Sequence, residues 1–311
     1  MHVTVVGCGK IGQSLAMLLI NEWYVTELTL VDIVPNLAKA LAEDYKHAAA
    51  ALKRDIKIRG LEKVEEVENA DIIVVAAGSP RSADQSRRDL AVKNAGIIKG
   101  IAEKIFDNNR ESWYLIITNP VDAMATLFYR ITKSERVVGS GTHLDTLRFR
   151  SEIAKRLEVG VNQVEGFVAG EHGEAAVPLW STVKVDGANL DEVLKKEDLE
   201  EFKNGVERSV KEVAAWIIKH TGATICGPVH AFRDIVRSIL LNEGKVMSVA
   251  TPYRIGEEEV HISLPSIVGK SIQPILLDRI TEEENEKIKM AAIAVYRTFN
   301  QAVENLNLKA L

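Results

Sequence analysis

Val3-Thr4-Val5-Val6-Gly7-Cys8-Gly9-Lys10-Ile11-Gly12 is the stretch that decides the fold. Four strand-forming residues run straight into three glycines spaced G-x-G-x-x-G, and an apolar helical pattern continues through Leu15 to Ile20. Each glycine has its own physical use. Gly7 lets the chain turn tightly out of a strand, Gly9 lets the backbone approach a bulky anion, and Gly12 lets the next helix lie close to the strand. A second apolar run, Leu28-Thr29-Leu30-Val31, ends in Asp32. Strand, glycine turn, helix, strand and terminal acid predict the opening βαβ unit of a doubly wound parallel sheet, with a pyrophosphate seated on the helix N-terminus. Asp32 would accept hydrogen bonds from the hydroxyls of an adenosine ribose and repel a 2'-phosphate. No arginine follows it, so the pattern predicts NAD rather than NADP as cofactor.

The same rhythm continues down the chain. Strand-like runs at Ile72 to Ala76, Tyr114 to Thr118 and Arg136 to Val138 alternate with helical patterns, of which Leu90 to Phe106 is the clearest. Beyond Thr142 the texture changes. A helix is predicted from Leu147 to Leu157, strands at Val164 to Ala169 and Val177 to Val185, and helices at Leu199 to Lys219 and from Pro228 to Asn242. Val246 to Ile262 alternates like antiparallel strands. A last helix should start after Thr281, with that threonine as its cap and Ile288, Ala292, Val295 and Phe299 on its buried face. The fold class expected is α/β, a doubly wound parallel sheet (Rossmann) followed by an α+β domain. The division falls between a dinucleotide-binding domain at 1–142 and a substrate and catalytic domain at 143–311.

Composition narrows the function classes. With 311 residues and 46% apolar content the chain can bury a large core, and its net charge of -5 gives a polyanion no general attraction, which argues against nucleic acid as a partner. No apolar run approaches a membrane span and the N-terminus enters a strand directly, so the expected location is cytoplasmic. The cysteines are Cys8 and Cys226 alone, and the histidines form no ligand-like cluster, so neither a disulfide framework nor a metal site is expected.

Ligands of open parallel sheets bind beyond the carboxyl ends of the strands, so the segments there carry the chemistry. The loop Ala77 to Leu90 is small, polar and arginine-bearing, which suits a lid that brings Arg81 and Arg87 onto a bound anion. Asn119-Pro120-Val121-Asp122 follows a strand, Leu144-Asp145-Thr146-Leu147-Arg148 lies on a helix, and Gly170-Glu171-His172-Gly173 follows another strand. Arginine matches a carboxylate with two parallel hydrogen bonds, and histidine exchanges a proton near neutral pH.

These motifs, in this order with the glycine turn and Asp32, resemble those of the lactate/malate dehydrogenase family over essentially the whole chain. The resemblance implies an NAD-dependent enzyme in which His172 is the general acid and base and Asp145 its charged partner. Arg148 would clamp the substrate's C1 carboxylate, Arg87 would polarise the reacting oxygen, and Asn119 would contact both substrate and the nicotinamide side of the site. Gly7, Gly9, Gly12 and Asp32 would hold the cofactor. Arg81 occupies the family's specificity position, where an arginine resembles the malate members and an uncharged amide the lactate members. Interconversion of (S)-malate and oxaloacetate is therefore expected, with a lactate or other 2-hydroxyacid dehydrogenase as the alternative and a non-catalytic NAD-binding protein as the alternative of another class. Between the two arginines, Ser82-Ala83-Asp84-Gln85 departs from the Lys-Pro-Gly-Met of many malate enzymes. The family forms dimers or tetramers, and the alanine-rich face of Asp44 to Leu52 suits close subunit packing, so a homotetramer is expected.

Overall fold

The computed structural model describes residues 1–79, 87–304 and 306. Its first half alternates strand and helix: β1 (His2–Val6), α1 (Lys10–Leu19), β2 (Glu27–Val31), α2 (Leu37–Ala51), β3 (Lys57–Leu61), β4 (Ile72–Val75), α3 (Arg87–Ile105), β5 (Trp113–Ile116), α4 (Val121–Thr132) and β6 (Val137–Gly139). The second half is α5 (His143–Leu157), β7 (Val164–Gly170), β8 (Ala176–Val185), β9 (Ala188–Asn189), α6 (Leu190–Val193), α7 (Leu199–Thr221), α8 (Cys226–Leu241), β10 (Lys245–Ile255), β11 (Glu258–Val268), β12 (Ile272–Pro274) and α9 (Glu282–Val303).

Strands β3-β2-β1-β4-β5-β6 pair in that spatial order, all parallel. From β1 the chain winds outward to β2 and β3, then crosses back to β4, so the direction of winding reverses between β1 and β4. That reversal leaves a crevice at the carboxyl ends of the strands. Antiparallel β10 extends the sheet from β6, followed by β11, β7, β8 and β9, with β12 paired to β11. The expected mixed architecture is the one observed.

Burial explains why the central strands read so clearly in the sequence. Val3, Val5, Leu28, Leu30, Ile72 and Val74 are fully buried on a face packed by α1, α2 and α8, while Val75, Ile116, Ile98 and Phe128 fill the opposite face with α3, α4 and α9. Each such side chain contributes about 1.5–3 kcal/mol of burial free energy. Because α8 from the second half packs on α1, and α9 packs on α3 and α4, the two halves share these cores.

Three details depart from the sequence expectation. Strand β3 was not signalled, because Lys57-Ile58-Arg59-Gly60-Leu61 is an edge strand whose one buried residue is Ile58. Helix α5 begins at His143 rather than Leu147, so its first turn contains Asp145. Helix α8 begins at Cys226, two residues ahead of Pro228, which still lies within the first turn. The last helix follows the sequence closely: the Thr281 hydroxyl accepts from the Glu284 amide at 3.2 Å and Glu284 accepts from the Thr281 amide at 2.9 Å, a reciprocal cap.

Candidate active site

The glycine turn sits where β1 ends, in the crevice. Gly7 has φ +97°, and its amide donates to Val31 at the end of β2 at 2.8 Å. A Cβ on Gly12 would fall 1.9 Å from the Gly7 carbonyl oxygen, so only glycine lets α1 start this close to β1. Gly9 differs: a Cβ there meets no atom within 4 Å, and no side chain caps α1. The N-terminal end of α1, where Gly9 and Lys10 are exposed, thus presents amides and a partial positive charge to open space, which fits a pyrophosphate. Asp32 is bound into the same turn, accepting from the Cys8 amide at 2.7 Å and from the Val34 amide at 2.9 Å. A carboxylate has about four acceptor positions, so two remain for ribose hydroxyls. These residues fit a dinucleotide with a free 2'-hydroxyl.

The second cluster comes from three elements. In the first turn of α5, Asp145 accepts through Oδ2 from His172 Nδ1 at 2.6 Å and through Oδ1 from Arg148, one turn further on, at 3.2 Å. His172 lies two residues past the end of β7, and its backbone amide donates to Asp122 Oδ2 at 2.8 Å. Asp122 is in the first turn of α4 and only 2% exposed. Asn119 precedes α4 in the loop after β5; it is exposed, and its carbonyl accepts from Asn94 Nδ2 at 2.7 Å.

Electrostatics sets the protonation states. Burial alone would raise the Asp145 carboxyl, but His172 and Arg148 outweigh it and hold it below its ordinary range. Burial disfavours the His172 imidazolium, yet the charge and hydrogen bond of Asp145, with Asp122 adding to them, raise the ring's proton affinity above the ordinary value. An ionised Asp145 can only accept, so His172 Nδ1 carries the proton of that bond and Nε2 is the nitrogen left to exchange one.

The helix and strand that carry these groups are tied together by side chains. Thr142 stands at the N-terminus of α5, yet its hydroxyl caps nothing and donates instead to the Val168 carbonyl of β7. One turn on, Thr146 accepts from the Val168 amide at 3.0 Å. Both backbone groups of Val168 are therefore held by α5, which fixes the separation of Asp145 from His172. Asn94 does similar work across the crevice: 2% exposed, it accepts from the Ser79 amide at 2.8 Å while donating to Asn119, joining the segments that follow β4 and β5.

Of the expected residues, Gly7, Gly9, Gly12 and Asp32 form one group and His172, Asp145 and Arg148 another, while Asn119 stands in the loop after β5, tied through its carbonyl to Asn94. Arg81 and the Ser82 to Gln85 segment lie outside the described residues. Arg87 opens α3, and its side chain also lies outside the description. Sequence reading gave no role to Asp122, Asn94, Thr142 or Thr146. Asp122 had a signal, since a lone acid opening the apolar run Ala123-Met124-Ala125-Thr126-Leu127-Phe128 must be buried with it.

Comparison with known proteins places this geometry. Residues 1–139 match the pattern of the lactate/malate dehydrogenase NAD binding domain, and residues 142–305 that of the lactate/malate dehydrogenase alpha/beta C-terminal domain. The chain belongs to the lactate/malate dehydrogenase family. It is 38% identical over 304 residues to a malate dehydrogenase of Sulfolobus acidocaldarius, covering 98% of this chain and 97% of that one. An L-lactate dehydrogenase of Clostridium botulinum is 32% identical over 308 residues, covering 96% of each chain. In structure, the malate dehydrogenase of Plasmodium falciparum superposes with a TM-score of 0.90 at 27% identity, covering 98% of this chain and 99% of that one. The chain is thus an NAD-dependent dehydrogenase.

For this dehydrogenase, Gly12→Ala is expected to push α1 away from β1, lower stability by about 1–3 kcal/mol and weaken NADH binding. Thermal denaturation and a fluorescence titration with NADH check both effects.

Proposed function

We propose that the enzyme interconverts (S)-malate and oxaloacetate with NAD. The observation that carries this reading is the bond of His172 Nδ1 to an ionised Asp145 at 2.6 Å with Arg148 on the same carboxylate, beside the crevice where the glycine turn opens. NAD, when bound, supplies the acceptor for the hydride that leaves C2 of the substrate. This chain's residues supply the rest. His172 Nε2 takes the proton of the C2 hydroxyl during oxidation and returns it to the carbonyl oxygen during reduction. Asp145 holds the ring in the tautomer that leaves Nε2 free and stabilises the imidazolium once formed. Arg148 receives the C1 carboxylate on its guanidinium fork, Arg87 stabilises negative charge growing on the reacting oxygen, and Asn119 orients substrate against the cofactor.

Arg81 is assigned the second carboxylate of the diacid. A charge-assisted hydrogen bond contributes about 1.5–3 kcal/mol, and an unpaired buried guanidinium costs several. Arg81→Gln is accordingly expected to lower kcat/KM for oxaloacetate by about a hundredfold or more and to raise pyruvate use. Steady-state kinetics with NADH and NADPH against oxaloacetate and pyruvate test the whole reading. Preference for pyruvate in the unaltered enzyme would replace it with the lactate alternative, for which similarity to L-lactate dehydrogenases is the supporting observation.

No helix among the described residues is long and apolar enough to cross a membrane. The proposal extends to a cytoplasmic homotetramer built from dimers and feeding the tricarboxylic acid cycle, with residues 1–142 binding cofactor and 143–311 binding substrate. Ala38, Ala42 and Ala49 of α2 pack into the chain's own core, so the support for an assembly through this helix is limited to its exposed Ala40, Ala50 and Ala51.

A further inference from the structure

We propose that Asp122 is a positioning residue for the proton chemistry, a second carboxylate behind His172 that holds the histidine's backbone amide and supports its imidazolium. The proposal rests on His172 being the proton carrier and adds a group to which that reading gives no part.

The geometry is specific. Asp122 Oδ2 accepts the His172 amide at 2.8 Å, while Oδ1 is buried and has no hydrogen-bond partner among the described residues. If the only task were to accept that amide, an asparagine or serine would serve at lower cost, because an ionised carboxylate with an unsatisfied oxygen is expensive to bury. Whenever that carboxyl ionises, its charge therefore needs a beneficiary. Among the described residues, the charged groups that bear on Asp122 are His172 and Glu171 from the loop after β7, and Asp145 from α5 with Arg148 paired to it. β11, which packs along α4, contributes His261, whose imidazole burial holds neutral, down to about 3. Among these the group that gains a favourable charge when it protonates is His172. Burial pushes the Asp122 carboxyl up to about 7, against the pull of the His172 amide and ring. Its ionisation and that of His172 are thus coupled in the range where the enzyme would exchange protons.

The test compares the unaltered enzyme with Asp122→Asn, Asp122→Ala and His172→Asn. Asparagine keeps an acceptor for the amide and removes the charge. It is expected to leave the melting temperature and NADH binding near those of the unaltered enzyme. The His172 ring midpoint, read by NMR, should fall by about one pH unit, and the high-pH limb of oxaloacetate reduction should move down with it. Alanine also removes the acceptor and should lower kcat at every pH. An unshifted midpoint and limb in a folded Asp122→Asn enzyme would overturn the proposal. Activity retained in His172→Asn would instead remove His172 from the chemistry, and the NMR midpoint would still decide whether Asp122 supports its charge.

Discussion

Replacing His172 with asparagine is expected to lower kcat for oxaloacetate reduction by about a thousandfold while leaving the NADH dissociation constant within about twofold. The asymmetry follows from where the residue stands. His172 is at the end of β7 with its ring on Asp145, whereas the cofactor cradle is built from the ends of β1 and β2. Asparagine has the size to occupy the site but no group that exchanges a proton near neutral pH. The pH dependence gives a second check. Oxaloacetate reduction needs the protonated ring, and the ring's proton affinity is raised, so reduction should persist above the ordinary histidine range of about 6.5 and then fall as pH passes the raised value. Malate oxidation needs the neutral ring, so it should rise through the same interval. A mutant that keeps more than a tenth of the original kcat, or profiles that fail to mirror one another, would remove His172 from proton transfer.

Much of the fold was legible in the sequence, and the reason is physical. A parallel strand buried on both faces must be an almost unbroken apolar run, so β1, β2, β4 and β5 stand out, and a turn that excludes Cβ at Gly12 leaves glycine no substitute. The segments that carry His172 and Asp145 follow strands and hold proton-exchanging and charged residues, while the roles given to them came from the family resemblance. What failed to show were parts whose signal is weak or non-local. Edge strand β3 satisfies one face only, so charges break its pattern. The hold of Thr142 and Thr146 on Val168 joins positions more than twenty residues apart, and nothing in either segment marks the partner. Asn94 is an ordinary polar residue of α3 until its two hydrogen bonds to the segments after β4 and β5 are seen. Local chemistry is written locally; bracing between elements is not.

Arg148→Lys should lower kcat/KM for oxaloacetate by about a hundredfold, chiefly through a higher KM, with the positive charge retained. The Arg148 side chain is 18% exposed and gives one guanidinium nitrogen to Asp145 Oδ1 at 3.2 Å, which fixes the plane of the fork while leaving other N–H groups for a carboxylate. Lysine would preserve the Coulomb attraction but present a single rounded donor in place of two parallel bonds, and it could not hold Asp145 and substrate in one plane. Loss of even one charge-assisted hydrogen bond, about 1.5–3 kcal/mol, corresponds to roughly a ten- to hundredfold loss in affinity. Because lysine keeps the positive charge that helps to hold Asp145 ionised, the raised proton affinity of His172 should change little while KM rises, which separates clamping from proton transfer. Steady-state kinetics across pH, with substrate varied at saturating NADH, distinguish the two. An unchanged KM for the lysine variant would mean that the guanidinium serves Asp145 alone, and the substrate's carboxylate would then have to be held elsewhere in the crevice.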